Sequence, residues 1–455
     1  MHPRIVRHLI SPLLERMLGR RTFEFARECD AAQWQSPDEL RAMQRDKLRS
    51  LLNLAQSNCT WYQNLFAELG LDATTDDPFA MLEALPCIDK ETIRANQSDM
   101  TNASVEGGPI PFNTGGSTGE PLSFVVDRRR IAYDKAARIM THAWYGVQHG
   151  DREVYLWGSP LEIRGQDRFK HLRDRLTNEL LLAAFRLNPE TMSQYHRQIN
   201  AFDPASIFGY PSSLTRFAEF CEKSNRRYGG GNLKAVFVTG EVIDDRQREV
   251  LSRYFNVPIV NGYGSRDGGF IAHECTSGNM HVMDQNVIVE ILDETGQPAP
   301  EGECGEIVIT HLDAHALPLI RYQTGDMAEN RSGQCACGRG LSLIGAIDGR
   351  RGDHLVGADG TLTHPLAAIY VMRELESVRQ FQIHQQRDRS INVKVVEAGI
   401  ANPVNCERIV SDLRRRLGPL PVNIQTVGEI PVAGSGKYRH VVSEATSEFN
   451  TVGSV

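Results

Sequence analysis

Apolar residues recur through the first hundred positions at helical spacing. Leu40, Met43, Leu48, Leu51 and Leu52 follow Ser36-Pro37-Asp38-Glu39. That tetrapeptide is an N-cap, a proline suited to a first turn and two acids suited to the positive end of a helix. A long helix is expected there, in a mostly helical opening region. Strand-like and helical stretches alternate afterwards. The clearest unit is Leu233–Val238, Thr239-Gly240-Glu241, the polar Asp244–Tyr254 and Val257–Val260. It reads strand, loop, helix, strand, the order of a parallel α/β sheet. Both strands run into predicted loops, Thr239-Gly240-Glu241 and Asn261-Gly262-Tyr263-Gly264-Ser265. Ligands in open α/β sheets sit outside the carboxyl ends of strands, so both loops are candidate sites. Val287–Leu292 and Gly305–Thr310, with a Gly/Pro-marked turn between them, predict antiparallel strands. Past Ile344–Asp348 lies the polar joint Gly349-Arg350-Arg351-Gly352-Asp353, then a region with its own patterns at Leu366–Leu375 and Ile391–Val396. A domain boundary is expected at Gly349, dividing 1–348 from 349–455.

A chain of 455 residues exceeds one ordinary core, and about 150 residues per domain gives roughly three units. With 41% hydrophobic and 24% charged residues it has the composition of a globular chain able to bury a large interior. Its 57 acids against 50 bases give a charge of −7, so no global basic field recruits nucleic acid. Apolar stretches such as Leu180–Phe185 fall far short of the ~20 residues of a membrane span. Arg7, His8, Glu15 and Arg16 interrupt Ile5–Leu18, so no secretory signal is expected. His2–Arg21 reads as a basic amphipathic helix packed on the body, with docking on a membrane surface as the alternative. Nine cysteines without a signal peptide predict a reducing cytoplasm. Cys29, Cys59, Cys87 and Cys221 are scattered singly, as core cysteines are.

The richest local chemistry is Phe112-Asn113-Thr114-Gly115-Gly116-Ser117-Thr118-Gly119-Glu120-Pro121. Three glycines let backbone N–H groups turn toward an anion, and Thr114, Ser117 and Thr118 add hydroxyls. It is not a Walker A loop, since no Gly-Lys-Ser/Thr ends it, and neither is Gly436-Lys437, which Tyr438 follows. Taken alone, such a loop also reads as a flexible connector.

An ordered series follows it: Thr239-Gly240-Glu241, Tyr263-Gly264-Ser265-Arg266-Asp267, Arg321-Tyr322-Gln323-Thr324-Gly325-Asp326, Gly349-Arg350 and Gly434-Ser435-Gly436-Lys437. In order and spacing the series resembles the adenylate-forming enzymes. Phe208-Gly209-Tyr210-Pro211-Ser212-Ser213-Leu214, Pro318-Leu319-Ile320-Arg321-Tyr322 and Ser435-Gly436-Lys437-Tyr438-Arg439 are similar to the phenylacetate–CoA ligase family and its capsule-biosynthesis-type relatives, over essentially the whole chain. The resemblance implies an α/β fold: a large N-terminal domain of doubly wound sheets with a β-rich subdomain, and a small mobile C-terminal α+β domain. It implies that Thr114–Gly119 hold the ATP phosphates, that Gly240 and Glu241 lie along the adenine, that Tyr263 flanks that ring, and that Gly264 and Ser265 also bind ATP. Asp326 would bind the ribose hydroxyls, Arg350 would reach the nucleotide, and Asp267 would help hold Mg2+. Lys437 would neutralise charge at the α-phosphate as a carboxylate attacks. The implied reaction joins a carboxylic acid to an acceptor through an acyl-adenylate, with CoA as the leading acceptor. An amine or hydroxyl acceptor is the alternative, and a non-catalytic nucleotide-binding protein a third reading. A homodimer is compatible with the resemblance. Trp157, Phe208, Tyr210 and Ala235–Phe237 suggest an apolar or aryl pocket, although core packing explains them equally well.

Three positions depart from the family pattern. Glu120 replaces a frequent lysine, Asp267 is one methylene shorter than the usual glutamate, and Gly352 stands where many relatives have a hinge Asp or Lys. Leu355–Thr361 also lacks the family's Arg-Gly-Xaa-Asn-like loop and reads as an Asp-Gly hairpin, with fewer free backbone groups to offer a pantetheine chain. A second constellation is Cys275, His281, Cys335 and Cys337: three thiolates and one imidazole, a closed tetrahedral set for structural Zn2+. The alternative is four unrelated buried side chains, with His273 or Cys304 as decoys.

Overall fold

The computed structural model describes residues 1–113, 122–158, 176–184, 187–360, 362–363, 368–369, 371–372, 375, 377–397, 404–430 and 440–445, except 351–354. The expected long helix spans Pro37–Asn58. Ser36 and Glu39 close a reciprocal capping box at its start, and it buries Leu40, Leu48, Leu51 and Leu52, as its 3.6-residue periodicity requires. The N-terminal segment is helical over Pro3–Ile5, a π turn over Val6–Ile10, and Ser11–Met17.

Strands β1 (Ile110–Asn113) and β2 (Ser123–Val126) pair antiparallel on either side of the Gly/Ser/Thr loop. The main sheet follows: β3 (Glu153–Trp157), β4 (Glu179–Ala183), β5 (Ser206–Gly209), β6 (Ala235–Thr239) and β7 (Ile259–Ser265) run parallel in the order β4-β3-β5-β6-β7. Then β8 (Gly269–Glu274) and β9 (Met280–Val282) continue it antiparallel. A second, antiparallel sheet holds β10 (Val287–Leu292), β11 (Cys304–His311) and β12 (Tyr322–Glu329). The chain returns to the main sheet as β13 (Leu343–Ile344), beside β9, and to the second as β14 (Ile347–Arg350), beside β12. Beyond these, β15 (Leu355–Val356) and β16 (Leu362–Thr363) form the hairpin expected at Asp359-Gly360. β17 (Val378–Gln385), β18 (Ile391–Glu397), β19 (Val422–Thr426) and β20 (Val441–Ser443) make a sheet ordered β19-β18-β17-β20, covered by the helix Cys406–Leu417. Its core, which includes Leu355, Ile383, Val393, Ile409 and Leu413, is separate from the cores of the two larger sheets.

One expectation is corrected. Asn261–Ser265, read as a loop for its glycines, belongs to β7 and pairs with β8. Those glycines serve close packing, since a Cβ on Gly264 would collide with the Gly269 carbonyl oxygen. Of the pattern at 366–375, residues 368–369 and 371–372 are helical, and half of its positions lie outside the described residues.

Asp284 is a titrating group inside this scaffold. It is buried, and its carboxylate accepts from Ser342 N at 2.6 Å and Gln44 Nε2 at 3.3 Å. Burial outweighs these bonds and pushes its pKa up to about 6. A carboxyl raised above its unfolded value of about 4 stabilises the fold below that pH, and the contribution is lost as pH rises through 6. Asp284→Asn is therefore expected to raise the melting temperature by a few degrees at pH 8 and by much less at pH 5. Equal shifts in thermal melts at both pH values would contradict this.

Candidate active site

The carboxyl end of β6 turns at Gly240, whose φ of +80° is a left-handed conformation that favours glycine. The next residue, Glu241, accepts from Ser212 N at 3.0 Å and Ser212 Oγ at 2.9 Å. It thereby places a carboxylate at the start of the helix Pro211–Lys223, where the helix dipole favours negative charge. Glu241 thus ties the end of β6 to the end of β5. One strand further, the buried Tyr263 donates its hydroxyl to Asp326 at 2.9 Å, joining the main sheet to the second one. Burial and then the Asp326 carboxylate push the Tyr263 phenol well above its ordinary value, so it stays a neutral donor. Arg350 is the register partner of Asp326 across β14.

Asp267 lies in the turn between β7 and β8 and is buried. It accepts from the Tyr322 hydroxyl at 2.6 Å and pairs with Lys90 Nζ at 3.3 Å. Burial alone would raise this carboxyl, but Lys90, Ser265 and Tyr322 hold it down to about 2. Asp267 is therefore an ionised carboxylate at any physiological pH, and one such group plus substrate phosphates is a usual Mg2+ donor set. The neighbouring Arg266 donates to the Asn113 carbonyl at 3.1 Å, so the strand entering the Gly/Ser/Thr loop is fastened beside Asp267. The loop positions Thr114, Gly115, Gly116, Ser117, Thr118 and Gly119, as well as Glu120, Gly352 and Lys437, lie outside the described residues.

Sequence reasoning missed Lys90, which sits in no motif, and a polar row on the helix Arg128–Ala143. Arg130, Asp134, Arg138 and His142 follow one another at steps of four, hence along one face. Arg130 donates to the Arg266 and Asp267 carbonyls, and Asp134 accepts from Phe270 N at 3.0 Å. Arg138 donates to Glu153 at 2.8 Å and to the Tyr155 hydroxyl at 2.6 Å. His142 lies 3.3 Å from Glu153 and stacks on Phe237 at 3.8 Å. Despite burial, Arg138 and His142 hold the Glu153 carboxyl below its ordinary range. The row runs from the Asp267 turn to the start of β3, about 18 Å at 1.5 Å per residue. Its signal in the sequence was the four-residue spacing of polar groups among Ala132, Ala136, Ala137 and Met140. Of the aromatic residues singled out, Trp157 and Tyr210 stack at 4.1 Å. Phe237 is 1% exposed and serves as core beneath His142. The sheet face below this helix is therefore partly charged, not uniformly apolar.

The four metal candidates do converge. Cys275 follows β8, His281 lies on β9, and Cys335 and Cys337 precede β13; their ligand atoms all lie within 4.8 Å of one another. Cys275 Sγ and Cys335 Sγ are 3.6 Å apart, and Cys337 Sγ and His281 Nε2 are 3.2 Å apart. Tetrahedral zinc with its ordinary bond lengths would set sulfur pairs about 3.8 Å apart. His281 Nδ1 meets the Leu341 carbonyl at 3.0 Å, which leaves Nε2 for a metal. Asn279 Nδ2 donates to Cys335 Sγ at 3.2 Å, and Ser277 N to Cys275 Sγ at 3.4 Å, bonds that stabilise thiolate. The donor set fits Zn2+.

Comparison with known proteins agrees with this architecture. The family profile described as the CapK C-terminal domain matches residues 355–444. Protein CapK of Staphylococcus aureus is 24% identical over 415 residues, covering 89% of this chain and 90% of that protein. The phenylacetate-coenzyme A ligase of Thermus thermophilus is 24% identical over 440 residues, covering 89% and 96%. Among solved structures, 2-hydroxyisobutyryl-CoA ligase in the postadenylation state superposes with a TM-score of 0.72 at 17% identity, covering 91% of each chain. The chain has the fold of the adenylate-forming ligases, and its resemblance to the phenylacetate–CoA ligase and CapK group holds along most of its length.

Proposed function

We propose that this chain, a relative of phenylacetate–CoA ligases and CapK, is an ATP-dependent acid–thiol ligase that works through an acyl-adenylate. The observation that carries the reading is the meeting of Gly240, Tyr263, Asp326 and Asp267 where β6, β7 and β12 converge, with the strand leading into Thr114–Gly119 fastened alongside by Arg266. Asp326 would hold the ribose hydroxyls, Tyr263 the adenine face and Thr114–Gly119 the terminal phosphates. Mg2+, held by Asp267 and the phosphates, would supply charge neutralisation when bound. The substrate carboxylate oxygen bonds to the α-phosphorus as the bond to pyrophosphate breaks. Lys437, entering from a small domain that turns about 349–353, balances the charge that develops. The acceptor thiol then bonds to the acyl carbon and AMP leaves. The acid is expected to be aryl or otherwise largely apolar. Zn2+ held by Cys275, His281, Cys335 and Cys337 would be structural, because four protein ligands leave no position for water.

A second reading rests on the hairpin of β15 and β16. Its backbone is paired with itself, and Gln385 takes both the N–H and the carbonyl of Val356 at 2.7 and 2.8 Å. Few groups there remain for a pantetheine chain, which favours an amine or hydroxyl acceptor. The deciding experiment is ATP–pyrophosphate exchange over a panel of carboxylic acids, followed by mass spectrometry of products formed with CoA or amines. Exchange with at least one acid is expected, with a CoA thioester as product. No exchange with any acid, in protein that still binds ATP, would favour the non-catalytic reading. In the same assay Asp326→Ala is expected to raise the KM for ATP about tenfold with little change in turnover, because ribose contacts act equally in ground and transition states. An effect confined to turnover would refute the ribose assignment.

A further inference from the structure

The N-terminal helix carries an apolar stripe on its outer face. Ile5, Leu9, Leu13 and Met17 are 47%, 64%, 55% and 75% exposed. Six of the ten large apolar side chains exposed among the described residues fall within the first eighteen positions, so the stripe is a concentrated feature rather than the usual scatter. The inner face buries Val6 completely and adds polar contacts. Arg7 donates to the His149 carbonyl at 2.8 Å and pairs with Asp151 at 3.2 Å. The buried Glu15 meets Lys135 at 2.7 Å and accepts from Thr22. Ile10 and Leu14 are partly buried beside Val6, so the helix has an apolar side toward the body as surface helices do, and the exposed stripe is a second apolar face in addition to it.

The π turn contributes to the stripe. Residues four apart in an α-helix advance about 400°, so a stripe at steps of four drifts around the axis. The wider π turn at Val6–Ile10, ahead of Pro12, rotates less per residue and offsets part of that drift. Charge then discriminates between occupants. Met1–Arg21 holds five arginines against one glutamate, in a chain whose net charge is −7. Arg7 pairs with Asp151, Arg21 with Glu24 and Glu15 with Lys135, so the positive excess of the segment is carried by Arg4, Arg16 and Arg20. Two copies packed stripe to stripe would bring like-charged arginines together. An anionic lipid surface complements them.

We infer that this helix lies in the plane of an anionic membrane surface, with Ile5, Leu9, Leu13 and Met17 inserted at the boundary between headgroups and acyl chains. The inference concerns attachment and is independent of the proposed reaction. The test is flotation of the full chain with phosphatidylcholine vesicles, with and without about one-third phosphatidylglycerol, at low and high salt. At least tenfold more protein is expected to float with the anionic vesicles at low salt than with neutral ones. The Leu9→Glu/Leu13→Glu variant should lose this binding while keeping the wild-type melting temperature, since both side chains face solvent. As a second probe, Leu9→Trp should shift its fluorescence to the blue on anionic vesicles alone. Absence of flotation together with an unshifted tryptophan overturns the inference. So does a dimer, seen by analytical ultracentrifugation, that the double variant dissociates while lipid binding is absent; the stripe would then belong to a second copy of this chain.

Discussion

Lys437→Ala is expected to slow ATP–pyrophosphate exchange by several hundred-fold or more while leaving ATP binding nearly intact. The reasoning is electrostatic. In the proposed reaction negative charge accumulates around the α-phosphate as the carboxylate attacks, and Lys437, proposed to arrive only with closure of the small domain, would act on that charge rather than on bound ATP. Removing one such preorganised contact costs about 3–4 kcal/mol of transition-state stabilisation, and the loss should appear in turnover rather than in the nucleotide's dissociation constant. Lys437→Arg keeps the charge but changes its shape, and should recover only part of the rate. Exchange by the alanine variant at close to the wild-type rate would remove Lys437 from the mechanism.

The second large effect is expected from Cys335→Ser. The purified chain should carry about one zinc per molecule, and the variant little or none. Its melting temperature should fall by at least ten degrees, because three ligands would be left without the metal that holds them together. Cys304→Ser is the control, since Cys304 is exposed and outside the cluster; it should retain both zinc and stability. Elemental analysis of protein prepared without chelator checks the first statement and calorimetry the second. Wild-type protein without zinc would end the assignment.

What could be read from the chain beforehand was chiefly local. Ser36 and Glu39 announce their helix because the cap is closed by residues three apart. Val287–Leu292 is found as a strand with the bounds its apolar run suggested. Asp359-Gly360 gives its hairpin for the same reason. Gly262 and Gly264 misled because glycine serves both flexible loops and close backbone approach, and only the partner strand distinguishes the two. Lys90 and Asp267, or Arg138 and Glu153, meet across folded elements, and neither member of either pair has a neighbour in sequence that betrays its partner. The four zinc candidates were an exception, since their chemistry is rare enough to be matched across the chain before any geometry is known.

The placement of those four ligands also bears on the order in which the chain assembles. Cys275 and His281 precede β10, β11 and β12, whereas Cys335 and Cys337 follow them. Cys275 and Cys335 stand 60 positions apart, and closing so long a loop is entropically costly before the intervening strands have folded. Once β10–β12 have zipped into their antiparallel ladder, the two halves of the cluster are delivered to each other and the loop is already closed. Capture of Zn2+ at the proposed site would then be a late step that locks a sheet formed without it, and a chain synthesised under zinc starvation would reach a nearly complete, slowly maturing intermediate rather than an unfolded one.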